Sequence, residues 1–190
     1  MVIKKLALFA SGSGSNAQNI MEYFSGNEQI VVDSLWSNNP KAFALQRASK
    51  YGVESFVFSR EQLNNSDFVV NKLKDRGVEL IILAGFLWLI PNSLIQNFTI
   101  INIHPALLPK YGGKGMYGMN VHETVVKNKD AETGISIHYV NEKYDEGKLI
   151  FQAKCDVLPT DSPEDVANKV HQLEYKYFPQ VIEKVILENY

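Results

Sequence analysis

The sequence predicts an α/β protein built on a doubly wound, mostly parallel sheet. In the first half, short apolar runs alternate with segments whose apolar residues have helical spacing, and this pattern is typical of βαβ units. Residues 79–84 are apolar on both faces, as a central parallel strand must be. In the second half, the polar stretch 141–148 separates two apolar runs, which predicts an antiparallel hairpin. We therefore expect a Rossmann-like sheet of about seven strands, with helices on both faces and an antiparallel C-terminal portion.

The individual elements follow from hydrophobic periodicity and from breaker residues. Pro40 suits the first turn of a helix, and Pro179 is expected to interrupt the last one. Residues 109–118 hold four glycines without periodicity and predict a mobile loop. The predicted strands are 2–9, 30–36, 54–58, 79–84, 98–103, 134–140 and 149–157, and the predicted helices are 16–24, 40–51, 66–76, 119–128, 162–178 and 181–187.

Composition limits the classes of function. A chain of 190 residues with 45% hydrophobic and 21% charged residues predicts one globular domain spanning 1–190, rather than a disordered chain or a coiled coil. The net charge of −2 gives no overall positive field, so we expect no nucleic-acid or membrane partner. The single Cys155 cannot form an internal disulfide, and no apolar run reaches the length of a membrane span. The sequence thus predicts a cytoplasmic protein and leaves its oligomeric state open.

A glycine- and serine-rich turn at 11–16 links the first predicted strand to the first predicted helix. Its backbone N–H groups, together with the positive end of the helix dipole, suit an anion such as a phosphate. The turn lacks the Gly-Lys-Ser/Thr of a Walker sequence and is not a clean Gly-x-Gly-x-x-Gly. A tight turn with an ordinary helix cap remains the alternative at this point.

Asn102 and His104 follow one another on the same side of a predicted strand end. An amide donor beside an imidazole suits a developing oxyanion, because the amide donates without titrating and the imidazole can also transfer a proton. A polar strand end bonded to nearby backbone is the alternative. Asp145 alone reads as a turn residue, but a carboxylate near His104 would raise the pKa of that histidine and favour the imidazolium.

The other candidate groups point to structural roles. No paired histidine spacing or Cys/His cluster predicts a metal site. His138 is expected to be a hydrogen-bonded structural residue of a strand, and His122 and His171 are expected to be surface or supporting residues of amphipathic helices. Cys155 lies in an apolar strand and reads as a small core residue.

Taken together, these segments resemble the folate-dependent formyltransferases. The resemblance runs from residue 2 to about residue 180, and its most specific part is an Asn-x-His-Pro-x-Leu-Leu-Pro run with a downstream aspartate. The glycine turn is supporting only. The matching segments are 9–16, 83–86, 101–111, 134–138 and 145–147.

The resemblance implies a one-carbon transfer enzyme of de novo purine biosynthesis. Its co-substrate would be 10-formyltetrahydrofolate, its acceptor the amine of glycinamide ribonucleotide, and no metal would be needed. Asn102 and His104, as an imidazolium, would hold the tetrahedral oxyanion. Asp145 would keep His104 charged and order a water that relays protons.

The resemblance also assigns binding residues. The half at about 1–100 would bind phosphate, and the half at about 101–190 would hold the folate and the catalytic groups. Trp88 stands where family members often carry an arginine, so the charged folate contact would be missing or supplied elsewhere. The residues implied are Gly14, Ser15, Asn16, Ala17 and Gln18 for the phosphate, Glu174 near the glycinamide amine, and Leu87, Trp88, Leu89, Ile90, Asn102, Asn141 and Tyr144 for the folate.

Three other functions are also compatible with parts of the sequence. The family also includes enzymes that formylate methionyl-tRNA, which usually carry a further basic domain that we do not expect here, and hydrolases of the formyl folate. A non-catalytic nucleotide-binding module would need only the glycine turn. A nicotinamide-dependent dehydrogenase would need a third motif glycine and an acidic residue after the second strand, where Trp36, Ser37 and Asn38 stand instead.

Overall fold

A computed structural model describes residues 3–65 and 67–189. Seven strands form one sheet: β1 (Lys4–Phe9), β2 (Ile30–Ser37), β3 (Glu54–Val57), β4 (Leu80–Leu83), β5 (Thr99–His104), β6 (Glu132–Tyr139) and β7 (Leu149–Asp156). Their order is β3-β2-β1-β4-β5-β6-β7; the pairs from β3 to β5 are parallel, and β6 and β7 are antiparallel additions. The predicted sheet and its antiparallel C-terminal portion are confirmed.

Helices cover both faces of this sheet, as predicted. Successive residues of β1 point to opposite sides: Leu6 and Leu8 join one apolar cluster, and Ala7 and Phe9 join the other. The first cluster is covered by α1, α2, α6 and α7, and the second by α3, α4 and α5. The helices are α1 (Ser15–Tyr23), α2 (Phe43–Lys50), α3 (Arg60–Asn64), α4 (Phe68–Asp75), α5 (Asn92–Ile95), α6 (Met119–Lys127) and α7 (Pro163–Asn189).

Two helix boundaries differ from the expectation. Pro40 does not open α2, because it lies in a turn in which the Asn39 carbonyl accepts the Ala42 N–H at 3.0 Å, and the helix begins only at Phe43. Helix α3 was not predicted from the sequence, although the sequence contains a helix-capping signal for it. Ser59 and Gln62 form a capping box in which each side chain bonds the backbone of the other. The predicted start of the first strand at Val2 and of α4 at Ser66 lies outside the described residues.

The expected interruption of the last helix at Pro179 is wrong. Helix α7 runs through this proline without a break. A proline inside a helix leaves the carbonyl four residues earlier without its partner, which here is the carbonyl of Tyr175. Asn19 of α1 supplies the missing donor, because its Nδ2 bonds the Tyr175 oxygen at 2.9 Å. A contact from another helix therefore keeps α7 continuous.

The sheet positions the candidate site at one edge. Strands β1, β4 and β5 are parallel, so their carboxyl ends lie side by side, where ligands of open α/β sheets usually bind. The glycine turn follows β1, and Asn102 and His104 end β5. Among the described residues, no helix combines the length and apolarity that crossing a bilayer requires.

Candidate active site

A cavity of about 630 Å³ opens at this edge of the sheet. Its wall combines the glycine turn, the segment after β4, the end of β5, the start of α6, the β6–β7 connection and the middle of α7. The sequence-predicted residues on its wall are Ser15, Asn16, Leu87, Trp88, Leu89, Ile90, Asn102, His104, Asn141, Tyr144, Asp145 and Glu174. Residues far apart in the chain are thus gathered around one space.

The three candidate catalytic side chains converge in this cavity. Asn102 Nδ2 donates to Asp145 Oδ1 at 3.4 Å, and His104 Nδ1 lies 3.5 Å from Asp145 Oδ2. Asp145 reaches them from the β6–β7 connection in a left-handed conformation, with φ of 56°. His104 is 3% exposed, so its imidazole is removed from water. The groups can therefore act together on one ligand atom.

His138 is a fourth member of this cluster that the sequence reading did not place there. It is hydrogen-bonded as expected, since its Nδ1 lies 2.8 Å from the Tyr139 carbonyl, which can only accept a proton. Its Nε2 lies 3.2 Å from Asn102 Nδ2 and 3.5 Å from Asp145 Oδ1, so it can accept from the amide when it is unprotonated and donate to the carboxylate when it is protonated. The antiparallel register pairs Asn102 with His138, and that register is the signal that the isolated strand pattern lacks.

Burial controls the charges of this cluster. Burial lowers the pKa of His104 below its ordinary value, and the Asp145 charge and the Tyr111 carbonyl raise it only in part. The expected direction of the Asp145 effect is confirmed, but the expected net rise is wrong because burial outweighs it. Burial by itself raises the pKa of Asp145, yet the hydrogen bond with His138, the charge of His104 and the Gly113 N–H together hold it below its ordinary value. At neutral pH the resting pair is a neutral imidazole beside a carboxylate.

The glycine turn presents backbone and short polar groups to the cavity. Gly14 precedes α1 with φ of 71°, and a Cβ there would lie 2.5 Å from Ala44 Cβ, so glycine is required. Ala17 is buried in the core, and Gly14, Ala17 and Gln18 are not among the residues that line the cavity. The Gln18 side chain turns to Arg47, whose guanidinium donates to it.

Glu174 is a buried carboxyl group on the cavity wall. Asn16 Nδ2 donates to Glu174 Oε2 at 2.9 Å, which joins α1 to α7. Burial raises the pKa of Glu174 to about 7, and the Asn16 hydrogen bond offsets this only in part. Among the described residues, Asn16 Oδ1 has no hydrogen-bond partner. This corner is therefore built to receive a polar ligand group.

Glu174→Gln is expected to stabilise the fold in alkaline solution. A carboxyl group whose pKa is higher in the folded state favours folding while it is protonated, and this contribution is lost as the pH rises from its unfolded value through about 7. At about pH 8 we expect the free energy of unfolding to rise by about 3 kcal/mol, and the gain to shrink towards zero below about pH 5. Urea denaturation of the wild type and the variant at both pH values measures this difference in the free energy of unfolding. Glu123→Gln, at an exposed position of α6, is the control. An equal gain in the free energy of unfolding of Glu174→Gln at both pH values would contradict the expectation.

His122 and His171 were expected to be surface or supporting residues, and the surface alternative is wrong for His122. His122 is 2% exposed, both residues line the cavity, and their ring centres lie 6.3 Å apart. Burial lowers the pKa of His122 to about 4, with smaller contributions from His171 and His104. Within the described part of the chain, His122 Nδ1 has no hydrogen-bond partner. Helical periodicity could not reveal this, because it does not say which apolar face meets a cavity.

The segment after β4 forms the opposite wall. Leu87 and Leu89 are 46% and 42% exposed, whereas Ile90 is buried. Trp88 packs edge-on to Phe86, and the Arg60 guanidinium lies 4.7 Å from the centre of the Trp88 ring. Asn141 and Tyr144 line the same cavity as this segment. Within residues 3–65 and 67–189, no cluster of three or more histidine, cysteine or acidic side chains could hold a metal ion.

An open, mostly parallel sheet that gathers an amide, two imidazoles and a carboxylate beside a glycine turn has the acid–base and hydrogen-bonding groups of an α/β enzyme at the carboxyl edge of its strands. The chain belongs to the formyl transferase family, whose model matches residues 4–182.

The relatives include plant and bacterial enzymes. The chain is 39% identical over 194 residues to the chloroplastic phosphoribosylglycinamide formyltransferase of Arabidopsis thaliana, covering 98% of this chain and 66% of that relative. It is 35% identical to the phosphoribosylglycinamide formyltransferase of Haemophilus influenzae, covering 95% of this chain and 86% of the relative. For the Bacillus subtilis enzyme of the same name, the identity is 34%, with coverage of 97% and 95%. The chain thus spans about two thirds of the plant relative and most of the bacterial ones.

Solved structures agree with these relatives. The phosphoribosylglycinamide formyltransferase of Coxiella burnetii superposes with a TM-score of 0.87 at 30% identity, covering 98% of this chain and 88% of that chain. The Streptococcus pneumoniae enzyme of the same name gives a TM-score of 0.84 at 30% identity, with coverage of 96% and 99%. The overall architecture described above is therefore that of this family.

Proposed function

We propose that this protein transfers the formyl group of 10-formyltetrahydrofolate to the amine of glycinamide ribonucleotide, giving formylglycinamide ribonucleotide and tetrahydrofolate in purine biosynthesis. The observation that carries the proposal is the convergence of Asn102, His104 and Asp145 in a cavity that the glycine turn also lines. A nucleotide-binding module would not require that convergence. The acceptor, glycinamide ribonucleotide, is inferred from the name phosphoribosylglycinamide formyltransferase that the relatives carry.

The chemistry follows from the positions of these groups. The neutral amine attacks the formyl carbon, and the carbonyl oxygen becomes an oxyanion to which the Asn102 amide donates. The growing negative charge raises the pKa of the neighbouring His104, so the imidazolium is favoured in the transition state more than at rest. The bond from carbon to N10 of the folate then breaks, and the proton lost by the amine ends on N10. His104 Nδ1, beside Asp145, is the ring nitrogen that can hold this proton in transit.

The two substrates would lie on opposite walls. The start of α1, where Ser15 and Asn16 line the cavity, would hold the phosphate, and Glu174 would contact the glycinamide part. The folate ring would lie between segment 87–90 and the side chains of Asn141 and Tyr144. No metal is needed for these steps. The chain would act as one domain at 1–190, and the reducing cytoplasm suits the free thiol of Cys155.

A formyl-transfer assay tests the proposal. Purified protein is mixed with 10-formyltetrahydrofolate, with and without glycinamide ribonucleotide, and both products are measured. We expect tetrahydrofolate and formylglycinamide ribonucleotide to form in equal amounts and only when the ribonucleotide is present. Release of formate without the ribonucleotide would instead indicate a hydrolase, and no turnover at all would favour a binding module.

Asp145→Asn is expected to move the histidine limb of the pH profile of kcat/KM to lower pH. Burial already lowers the pKa of His104, and the Asp145 charge is the largest contribution that raises it. Removing this charge lowers the pKa of His104 further, so the imidazolium is lost at a lower pH as the solution becomes more alkaline. Steady-state rates over a pH series measure the shift. Asp75→Asn, on an exposed helix end, removes the same charge elsewhere, and a limb that stays in place in Asp145→Asn would separate Asp145 from His104.

A further inference from the structure

A short segment, 111–113, closes around the pair formed by His104 and Asp145. The Tyr111 carbonyl lies 2.7 Å from His104 Nε2, and the Gly113 N–H donates to Asp145 Oδ2 at 2.9 Å. Between them, a Cβ on Gly112 would lie 3.3 Å from Asp145 Cβ and 2.7 Å from a Leu108 methyl group. One stretch of backbone is therefore pressed against both members of the pair.

The Tyr111 contact determines which nitrogen of His104 carries the permanent proton. A backbone carbonyl accepts but never donates, so His104 Nε2 must be protonated to bond it. The neutral imidazole then has its lone pair on Nδ1, which lies 3.5 Å from Asp145 Oδ2. Proton gain and loss is thereby assigned to Nδ1, the nitrogen that faces the carboxylate.

Tyr111 is itself held in an unusual conformation. Its φ of 56° lies in the left-handed region, which is unfavourable for a bulky residue and persists only where surrounding contacts hold it. Its hydroxyl donates to Asp130 Oδ2 at 2.7 Å and accepts from Asn128 Nδ2 at 2.9 Å. Both partners come directly after the last turn of α6, so the Tyr111 side chain is fixed to the C-terminal end of this helix.

We propose that Tyr111 is a positioning residue for the reaction: its hydroxyl, anchored by Asn128 and Asp130, holds its carbonyl in place, and that carbonyl keeps His104 in the tautomer that directs Nδ1 to Asp145. The expected effect of Tyr111 on kcat rests on the proposed function. Its structural part, the tautomer of His104, is independent of the substrates.

Other titratable groups also surround His104. Asp145 faces it from the β6–β7 connection, His138 from β6 and His122 from α6. The Asp145 charge raises the pKa of His104, and the nearby charge of His138 lowers it. The hydrogen bond to the Tyr111 carbonyl adds to the raising contributions. Weakening this bond alone therefore lowers the pKa of His104 while leaving the surrounding charges unchanged.

Tyr111→Phe tests the anchor, because it removes the hydroxyl and keeps the ring. Loss of one ordinary hydrogen bond predicts a kcat reduced by about 3- to 10-fold, with KM for both substrates within about twofold. In ¹⁵N NMR of the histidine rings, the wild type is expected to show His104 protonated on Nε2. The variant is expected to show a smaller Nε2–H population and a lower pKa. Tyr23→Phe removes a similar bond, 2.7 Å to Glu183 Oε2, on a remote surface and is expected to change none of these values.

A second pair of variants keeps the test decisive if Tyr111→Phe does not fold. Asp130→Ala removes the acceptor of the hydroxyl and is expected to reproduce the kinetic and NMR changes, whereas Asp130→Asn keeps an oxygen acceptor and is expected to resemble the wild type. A wild-type His104 protonated on Nδ1, or an unchanged tautomer and pKa in the anchor variants, would overturn the proposal. The wild type could instead fail to transfer the formyl group while the anchor variants still show the NMR changes. That result would refute the proposed function and leave the tautomer assignment in place.

Discussion

His104→Ala is expected to reduce kcat by about 10²- to 10⁴-fold, the range typical of a lost general acid–base group. His104 Nδ1 lies 3.5 Å from Asp145 Oδ2 and can gain and lose a proton, which the Gly113 N–H bonded to the same oxygen cannot do. KM for both substrates is expected to change little, because the glycine turn and segment 87–90 lie on other elements. Steady-state kinetics with each substrate varied in turn measures the separation of kcat from KM.

His104→Gln is the matched control for this loss. A glutamine amide can still donate to the Tyr111 carbonyl, which helps to preserve the packing around a residue that is 3% exposed. It cannot gain a second proton. We expect it to fold as the wild type does and to be as slow as His104→Ala. A His104→Gln protein with nearly full turnover would mean that the histidine holds the structure and does not transfer protons.

Asn102→Ala is expected to reduce kcat by about 10²- to 10³-fold, which corresponds to the loss of one oxyanion donor, about 2.7–4 kcal/mol. At rest, Asn102 Nδ2 is shared between His138 Nε2 at 3.2 Å and Asp145 Oδ1 at 3.4 Å. Both contacts are long, so one hydrogen can turn to the oxyanion as its charge develops. The loss is therefore expected in kcat rather than in KM.

Asn97→Ala is the control for Asn102→Ala. Asn97 lies before the same strand, is exposed, and bonds only the Ser93 carbonyl at 2.7 Å with its Nδ2. We expect its kinetics to match the wild type. If Asn102→Ala retained most of its turnover, the oxyanion would have to be held by another donor.

Local pattern was enough to predict most of the fold. Strand β4 is apolar on both faces, and the alternation in β6 marks its two sides, so both were found from periodicity. Asn102 and His104 were found because both residues lie on one strand. The continuity of α7 through Pro179 was not predictable, because it depends on an Asn19 side chain 156 residues from its partner Tyr175.

The site could be predicted only in part for a related reason. His138 joins the cluster through the register of two strands that are more than thirty residues apart in the chain, and no local pattern fixes that register. Its neighbour His104 was expected to have a raised pKa because only the charge of Asp145 was considered. The degree of burial, which outweighs that charge, is a property of the packed structure. The role of Tyr111 likewise depends on the end of α6, nineteen residues away.

The two asparagine bridges between α1 and α7 have a consequence for binding. Asn16 bonds Glu174 and Asn19 bonds Tyr175, so adjacent turns of the two helices are fastened together before any ligand arrives. The proposed ribonucleotide site is thereby preorganised, so we expect little conformational entropy of these two helices to be lost on binding. The proposed folate wall, by contrast, consists of connecting segments. We therefore expect a rigid site for the acceptor molecule and a more adaptable one for different folates.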